Sequence, residues 1–138
     1  MSAGRVLGLD YGTRRVGVAV SDPLGITAQP RVVLDARDPR LMEQIAGLAT
    51  ELGVERVVVG LPVSLNGTEG PAAAAAREFA AAVGEATGLP VELADERFTS
   101  VSAERVLVQA GLSGRRRRAV RDRVAAAVML QAYLDGGR

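Results

Sequence analysis

The sequence predicts a single α/β domain over residues 1–138, with helices packed on both faces of a sheet. The first observation is a pair of apolar runs, Arg5–Leu9 and Val16–Val20, joined by a short segment that contains Gly, which is typical of a β-hairpin. Both runs are apolar nearly throughout, as in strands that are buried on both faces. The second observation is that strand-like and helix-like segments alternate along the rest of the chain. A chain of 138 residues is long enough for one core and too short for two ordinary domains.

The predicted element order is β-β-β-α-β-α-β-α-α. After the hairpin we expect strands at Ile26–Leu34, Val57–Val59 and Val91–Ala94, and helices at Pro39–Leu52, Pro71–Ala86, Ser100–Ala110 and Ala119–Leu134. Pro30 confines the third strand to a sheet edge or a bulge. Asp38 has the form of an N-cap before a Pro at the first helical position. Gly53 and Gly88 follow the first two helices as C-terminal stop signals.

The chain contains no His and no Cys. These absences exclude Ser-His and Cys-His catalysis, imidazole or thiolate metal sites, and disulfide bonds. All 17 basic residues are Arg and the formal net charge is only +1, so affinity for nucleic acid must come from local clusters of Arg. Carboxylates, Arg and hydroxyls remain for catalysis. The N-terminus has no apolar signal segment and no run could cross a membrane, so we expect a soluble cytoplasmic protein.

Two carboxylates follow strands of the predicted sheet. Asp10 ends the first strand, and Glu96 follows the fifth. Ligands of α/β sheets collect beyond the carboxyl ends of parallel strands, so both acids are expected at one edge. Asp10 could instead accept backbone N–H bonds and start the hairpin turn. Glu96 could instead form a salt bridge with a neighbouring Arg, such as Arg97 or Arg105.

Asp122 is the third candidate. It shares a helical stripe with Ala126, Met129 and Tyr133, which predicts an inward-facing carboxylate. The alternative is an exposed acid that complements the helix dipole. Three convergent carboxylates without His suit a hard cation such as Mg²⁺ or Mn²⁺. A pair of such ions can assist the displacement of a phosphodiester.

Four segments resemble the motifs of the YqgF family, whose members are Holliday-junction-resolvase-like and belong to the RNase H-like superfamily. The segments are Asp10–Asp22, Val59–Pro62 with Asn66–Thr68, Asp95–Ser100, and Asp122–Leu134. The resemblance implies an RNase H-like fold, with a five-stranded mixed sheet, an antiparallel second strand and flanking helices. It also implies a nuclease that matures the 5′ end of the small-subunit ribosomal RNA precursor. The acidic positions of the family fall on Asp10, Glu96 and Asp122, which would be both catalytic residues and metal ligands.

Three features of the sequence depart from the pattern of this superfamily. Junction resolvases have a Glu after the fourth strand, where this chain has Gly60–Pro62. A second acid near Asp122 is replaced by Ala125 and Ala126, which makes Glu96 the candidate for supplying the missing carboxylate. Arg121 stands where the family has an apolar residue, which leaves the start of the last helix less defined.

Clustered Arg residues are the expected substrate contacts. Arg14 and Arg15 lie in the predicted hairpin turn. A second, basic cluster precedes and enters the last helix and consists of Arg115, Arg116, Arg117 and Arg118, with Arg121 and Arg123. The planar guanidinium can donate two parallel hydrogen bonds to a phosphate. The alternative is a solvated basic surface with no ligand.

The expected partners are nucleic acids. They are a structured RNA precursor or branched DNA, and a pre-ribosomal particle that would contain the RNA. We expect the protein to be a monomer or a weak homodimer, without contact to a membrane.

Two other functions stay open at this point. The turn Asp10–Thr13 has the Asp-x-Gly-Thr form that begins actin-like ATPases and sugar kinases, but those proteins need two such domains to clamp a nucleotide. A non-catalytic RNA-binding assembly factor could use the same fold. The sequence alone does not separate this factor from a nuclease, nor RNA from branched DNA as the substrate.

Overall fold

A computed structural model of the protein describes residues 4–61, 70–95 and 124–137. The elements in chain order are β1 Arg5–Tyr11, β2 Arg15–Ser21, β3 Ala28–Asp35, α1 Leu41–Leu52, β4 Val54–Leu61, α2 Pro71–Thr87 and β5 Val91–Asp95. A third helix, α3, covers residues 124–132 and continues into a π-helical turn at Tyr133–Gly137. The predicted helix Ser100–Ala110 and the predicted start of the last helix at Ala119 lie outside the described residues.

The five strands form one mixed sheet in the order β3-β2-β1-β4-β5. β1 is antiparallel to β2, and β2 is antiparallel to β3. β1, β4 and β5 are parallel to one another. The predicted mixed sheet with an antiparallel second strand is therefore confirmed. β1 is the central strand, so both of its edges are paired.

One face of the sheet is covered by α1 and α2, and we call it the α1/α2 face. Alternate residues of β1, β2 and β4 point to this face, because successive strand side chains point to opposite sides. Large aliphatic and aromatic side chains fill the core there: Leu7, Leu9, Val16, Val18, Val57, Val59, Leu41, Ile45, Phe79 and Val83. Burial of this apolar surface provides most of the driving force for folding.

The opposite face is covered by α3 and the turn after it, and we call it the α3 face. Val6, Ala19 and Val58 of the sheet pack there against the chain after residue 124. The helix contributes Ala126, Ala127, Met129, Leu130, Tyr133 and Leu134. The predicted inward stripe is confirmed for its three described members, since Ala126, Met129 and Tyr133 are 0%, 1% and 2% exposed.

α3 lies close to the sheet because Gly8 has no side chain. A Cβ built on Gly8 would lie 3.0 Å from the Cβ of Leu130, which is tighter than ordinary van der Waals contact. Side chains larger than hydrogen at this position would push the helix away from β1.

The edge position of β3 is also confirmed. Its pairing with β2 shifts register between Val18 and Ala19, which pair with Val32 and Pro30. The shift leaves Arg31 as the extra residue of a bulge. Pro30 is thus accommodated as expected, at an irregular position of an edge strand.

The predicted N-cap of α1 at Asp38 is wrong, because the helix begins at Leu41. The Asp38 carboxylate instead accepts the backbone N–H of Arg40 at 2.8 Å, and its carbonyl accepts the N–H of Leu41 at 3.0 Å. A turn closed by the Asp side chain therefore competes with the first helical turn. The ends of the helices agree with expectation, since Gly53 and Gly88 adopt left-handed conformations with φ of 65° and 70°.

β3 starts two residues later than predicted because of the loop before it. The Asp22 carboxylate accepts the backbone N–H groups of Leu24, Ile26 and Thr27 at 3.1, 2.7 and 2.7 Å. These groups are therefore unavailable to the sheet ladder.

Over the ranges that the structure describes, no helix is both long and apolar enough to span a membrane.

Candidate functional site

Asp10 lies one residue before the end of the central strand β1. Val6, Gly8 and Asp10 alternate with Leu7, Leu9 and Tyr11, so the Asp10 side chain is on the α3 face. Tyr11 lies on the other face, where its ring stacks on Phe79 with centroids 4.4 Å apart. This contact fixes the end of the strand, and with it the position of Asp10.

A row of small residues crosses the sheet at the level of Asp10. Gly17 of β2 pairs directly with Asp10. On the other side, Gly60 follows Val59, which pairs with Leu9, and Gly60 pairs in turn with Ala94. Each of these residues is on the α3 face, because Ala19 and Val58 of the same strands pack there and Ala94 packs against them. The sheet around Asp10 is consequently free of bulky side chains.

The hairpin turn after Asp10 forms a small hollow. The N–H of Gly12 donates to the carbonyl of Arg15 at 2.9 Å, and a Cβ on Gly12 would lie 2.9 Å from that carbonyl oxygen. Gly is therefore required at position 12. A hollow of about 260 Å³ is lined by Asp10, Tyr11–Arg15 and Gly17. Arg15 is on the same face as Asp10, because it lies two residues from Gly17 in β2.

The Asp10 carboxylate is partly buried. Counting only partners among residues 4–61, 70–95 and 124–137, it has no hydrogen bond and no ion pair. The alternative in which Asp10 accepts backbone N–H bonds to begin the turn is not seen there, since the turn is closed by Gly12 and Arg15. A partly buried anion with no such partner suits a site that binds a cation.

The direction of α3 relates the end of the chain to Asp10. Leu130 packs at Gly8. Further along, the Tyr133 hydroxyl donates to Glu92 at 2.8 Å and accepts from Arg56 at 3.3 Å, and Arg56 pairs with Val6 near the start of β1. α3 thus runs opposite to β1, and its first described turn is on the side of Asp10.

The other predicted site residues are only partly covered by the structure. Arg14 and Arg15 are exposed at the hairpin turn, and their role as substrate contacts stays a prediction. Glu96 and Asp122 lie outside the described residues. The same is true of the four consecutive Arg residues of the basic cluster, Arg115, Arg116, Arg117 and Arg118. In the part of the chain that the structure describes, no three acidic side chains come together in a way that could hold a metal ion.

Sequence reasoning missed the small residues beside Asp10. Gly17 and Gly60 lie inside apolar strands, and a Gly within a strand indicates that another backbone or a ligand approaches closely. The sequence therefore already indicated a close approach at these two Gly residues. It could not show that they align with Asp10, because this alignment depends on the register between strands that are distant in sequence.

The chain matches the family model described as "RuvX: Holliday junction resolvase" over residues 4–136. The chain belongs to this family. The RuvX assignment agrees with the resemblance drawn from the four motifs, and it confirms the prediction of a nuclease, a hydrolase that acts on phosphodiester bonds.

Relatives of this RuvX chain carry the name "Putative pre-16S rRNA nuclease". The protein of Syntrophomonas wolfei is 48% identical over 134 residues, which cover 96% of this chain and 95% of that protein. The protein of Moorella thermoacetica is 50% identical over 132 residues, covering 95% and 94%. That of Geobacillus kaustophilus is 47% identical over 137 residues, covering 97% and 99%.

A solved structure supports the RNase H-like fold of the RuvX chain. It is Thermus thermophilus RuvC in complex with a Holliday junction substrate, with a TM-score of 0.58 and 19% sequence identity. The match covers 97% of this chain and 96% of the other. At this identity the likeness concerns the fold alone.

Proposed function

We propose that this RuvX-family nuclease depends on divalent metal ions and processes the 5′ end of pre-16S rRNA, in the cytoplasm and within a pre-ribosomal particle. One observation carries the proposal. Asp10 lies one residue before the end of the central strand, on the α3 face. It is partly buried without a partner among the described residues and is bordered by small residues. Such a place can hold a cation and admit a nucleic-acid backbone.

The donor set fits Mg²⁺ or Mn²⁺. Carboxylate oxygens are the ligands that these hard cations prefer. We propose that Asp10, Glu96 and Asp122 hold the metal and are the catalytic residues. When bound, the metal supplies an activated water and neutralises charge on the phosphate.

Two features of the described residues support the assignment of Glu96 and Asp122. Glu96 directly follows Asp95, the last residue of β5. Since β5 is parallel to β4 and β1, these strands end at the edge of the sheet that carries Asp10. Ala126 is fully buried against the sheet, and Asp122 is four positions before it. The predicted helix Ala119–Leu134 would therefore carry both residues on one face.

The small residues of the sheet give the substrate access to the site. Gly17, Gly60 and Ala94 place no large side chain of β2, β4 or β5 beside Asp10, so these strands do not keep a phosphodiester from the carboxylate. A larger side chain in this row would occupy the space that the phosphate needs.

The clustered Arg residues hold the substrate. Arg14 and Arg15 provide positive charge at the rim of the hollow beside Asp10. We propose that they bind backbone phosphates, and that the four Arg residues of the basic cluster do the same: Arg115, Arg116, Arg117 and Arg118. Phosphate contacts of this kind hold and orient the strand without reading its sequence.

The names of the relatives support RNA as the substrate, while the description of the family model favours branched DNA as a second candidate. Cleavage of a 16S precursor RNA and of a four-way DNA junction should be compared side by side with Mg²⁺. We expect the RNA to be cut at its 5′ side. Preferential cleavage of the junction would favour the second candidate. Binding of RNA without any cleavage would favour an assembly factor.

Asp10→Asn should lower cleavage at least about a hundredfold, because even residues that only orient a metal ligand contribute 10- to 100-fold. RNA affinity should change little, and the melting temperature without metal should hold or rise. Asp38→Asn is the matched control, since this carboxylate accepts a backbone N–H far along the chain from the site. Equal cleavage by wild type and Asp10→Asn would remove the proposed metal site.

A further inference from the structure

A second hollow adjoins the one at Asp10. It measures about 380 Å³ and is lined by Arg14, Arg15, Val33, Leu34, Asp35 and Arg37. Its volume is within the range of pockets that bind small ligands, about 300–1,000 Å³. Arg14 and Arg15 line both hollows, so the two lie next to each other at the hairpin turn.

Backbone contacts fix the shape of this second hollow. Arg15 of β2 pairs with Asp35 of β3, and the N–H of Ala36 donates to the carbonyl of Arg14 at 2.9 Å. The Asp35 carboxylate accepts the N–H of Arg37 at 2.8 Å. The chain after β3 is therefore held against the hairpin turn, and Arg37 is brought next to the two Arg residues of that turn.

The charges of the hollow favour an anion. Among the described residues that line it, three carry a guanidinium group and one, Asp35, carries a carboxylate. The Nε of Arg37 lies 3.8 Å from Asp35 Oδ1, and the two side chains are 73% and 58% exposed. An exposed pair at this distance is weak, so the Arg37 guanidinium can turn to another anion. A guanidinium fork fits a phosphate through two parallel hydrogen bonds.

We propose that Arg37, with Arg14 and Arg15, binds a backbone phosphate of the RNA beyond the phosphate at Asp10. The inference rests on the proposed function, because it takes the strand at Asp10 to be a polynucleotide. It adds a direction, since the strand leaves Asp10 across the hairpin turn toward the end of β3. It also sets a minimum for the substrate, which has to extend beyond the cleaved bond on that side.

Binding of a labelled 16S precursor fragment should be measured by fluorescence anisotropy over a range of salt concentrations, without divalent ions so that the RNA stays intact. Arg37→Ala should weaken binding several-fold at low salt. The slope of log affinity against log salt should flatten by about 0.7 for single-stranded RNA, the value for one lost phosphate contact. The loss should be the same for unrelated sequences.

Arg40→Ala is the matched control. Arg40 is three positions further along, its side chain is 78% exposed, and its Nε lies 3.5 Å from Glu43 Oε2, but it does not line the hollow. We expect Arg40→Ala to bind RNA as wild type does. Asp35→Asn should bind more tightly, because the substitution removes a negative charge from the hollow and keeps an oxygen for the N–H of Arg37.

RNA fragments trimmed from either end show whether the hollow binds a phosphate within a strand or an isolated phosphate. The effect of Arg37→Ala should disappear once the RNA no longer extends past Asp10 on one side. If the effect persists for a nucleoside monophosphate, the hollow is a mononucleotide site and the proposal is overturned. Equal slopes for Arg37→Ala and Arg40→Ala also overturn it, while cleavage by wild type would leave the proposed function standing. Absence of RNA binding by wild type would overturn both.

Discussion

The two faces of the sheet are built from different side chains. On the α1/α2 face, β1 contributes the large residues Leu7 and Leu9, both fully buried. On the α3 face the same strand contributes Gly8, which is in close contact with Leu130, and Asp10. The alternation of one strand thus separates a packed core from a site that leaves room for a ligand. Residues next to each other in sequence should therefore respond to substitution in different ways.

Leu7→Ala should show the largest effect on stability. Removing a buried Leu side chain leaves a cavity and costs about 2–5 kcal/mol. Cleavage per folded molecule should be unchanged, because Leu7 is on the α1/α2 face. Urea unfolding followed by circular dichroism measures the free energy of unfolding. Initial rates at a temperature where the variant is folded measure cleavage per folded molecule. A loss of cleavage in the folded variant would contradict the separation of the two faces.

Gly8→Val should have a smaller effect on stability and a larger one on cleavage. The added side chain would overlap Leu130, and overpacking of this kind costs about 1–3 kcal/mol. Cleavage should fall as well, since α3 would be displaced from β1 on the side of the site. The same urea titration and cleavage assay apply.

Gly47→Ala serves as the control for Gly8→Val. Gly47 is in the middle of α1, and a Cβ there would meet nothing within 4 Å. The variant should gain about 0.5–1 kcal/mol, because Ala favours the helix over Gly. Cleavage should stay at the wild-type rate. Equal losses of cleavage in the two Gly variants would mean that the position of α3 does not matter to the site.

The smallest effect is expected at the border of the α3 face. The loop after β2 is joined to α3 by Gln131, whose side-chain amide donates to the carbonyl of Ile26 and accepts from the N–H of Ala28, both at 2.9 Å. Within this loop, the backbone N–H of Thr27 has the largest effect on the pKa of Asp22 and lowers it. Desolvation has the next largest effect and raises the pKa, and the N–H groups of Ile26 and Leu24 lower it again, so that the pKa is lowered overall.

Because its folded-state pKa is lowered, the Asp22 carboxylate stabilises the fold above the unfolded pKa of about 3.9. This contribution is lost as the pH falls through the lower folded value. Asp22→Asn should therefore melt at a lower temperature than wild type at neutral pH, and the difference should narrow below about pH 4. Thermal melts from neutral to acidic pH test this. A difference that stays constant in acid would show that the charge is not involved.

Local signals were sufficient for most of the fold. The hairpin, the helix ends at Gly53 and Gly88 and the stripe of Ala126, Met129 and Tyr133 depend on residues a few positions apart, so their periodicity could be read directly. The predicted start of α1 was wrong because the Asp38 side chain accepts a hydrogen bond from the nearby backbone. A turn closed by this side chain competes there with the first turn of the helix.

The site was less predictable than the fold. Asp10 was found because a carboxylate at the end of an apolar strand is unusual. The row formed by Gly17, Gly60 and Ala94, and the position of Arg37 beside the hairpin turn, depend on strand register and loop packing, which are not encoded in any short segment. The roles of all the proposed site residues stay predictions. These residues are Asp10, Glu96, Asp122, Arg14, Arg15 and the basic cluster.

The position of α3 in the chain has a consequence for biosynthesis. A ribosome makes all five strands and both helices of the α1/α2 face before it makes residues 124–137, the segment that covers the α3 face. Domains generally fold as units, and the α3 face stays without its helix until residues 124–137 have been made. The nascent chain is therefore expected to complete the packing of its sheet and the surroundings of Asp10 at the same stage, when α3 packs on Gly8.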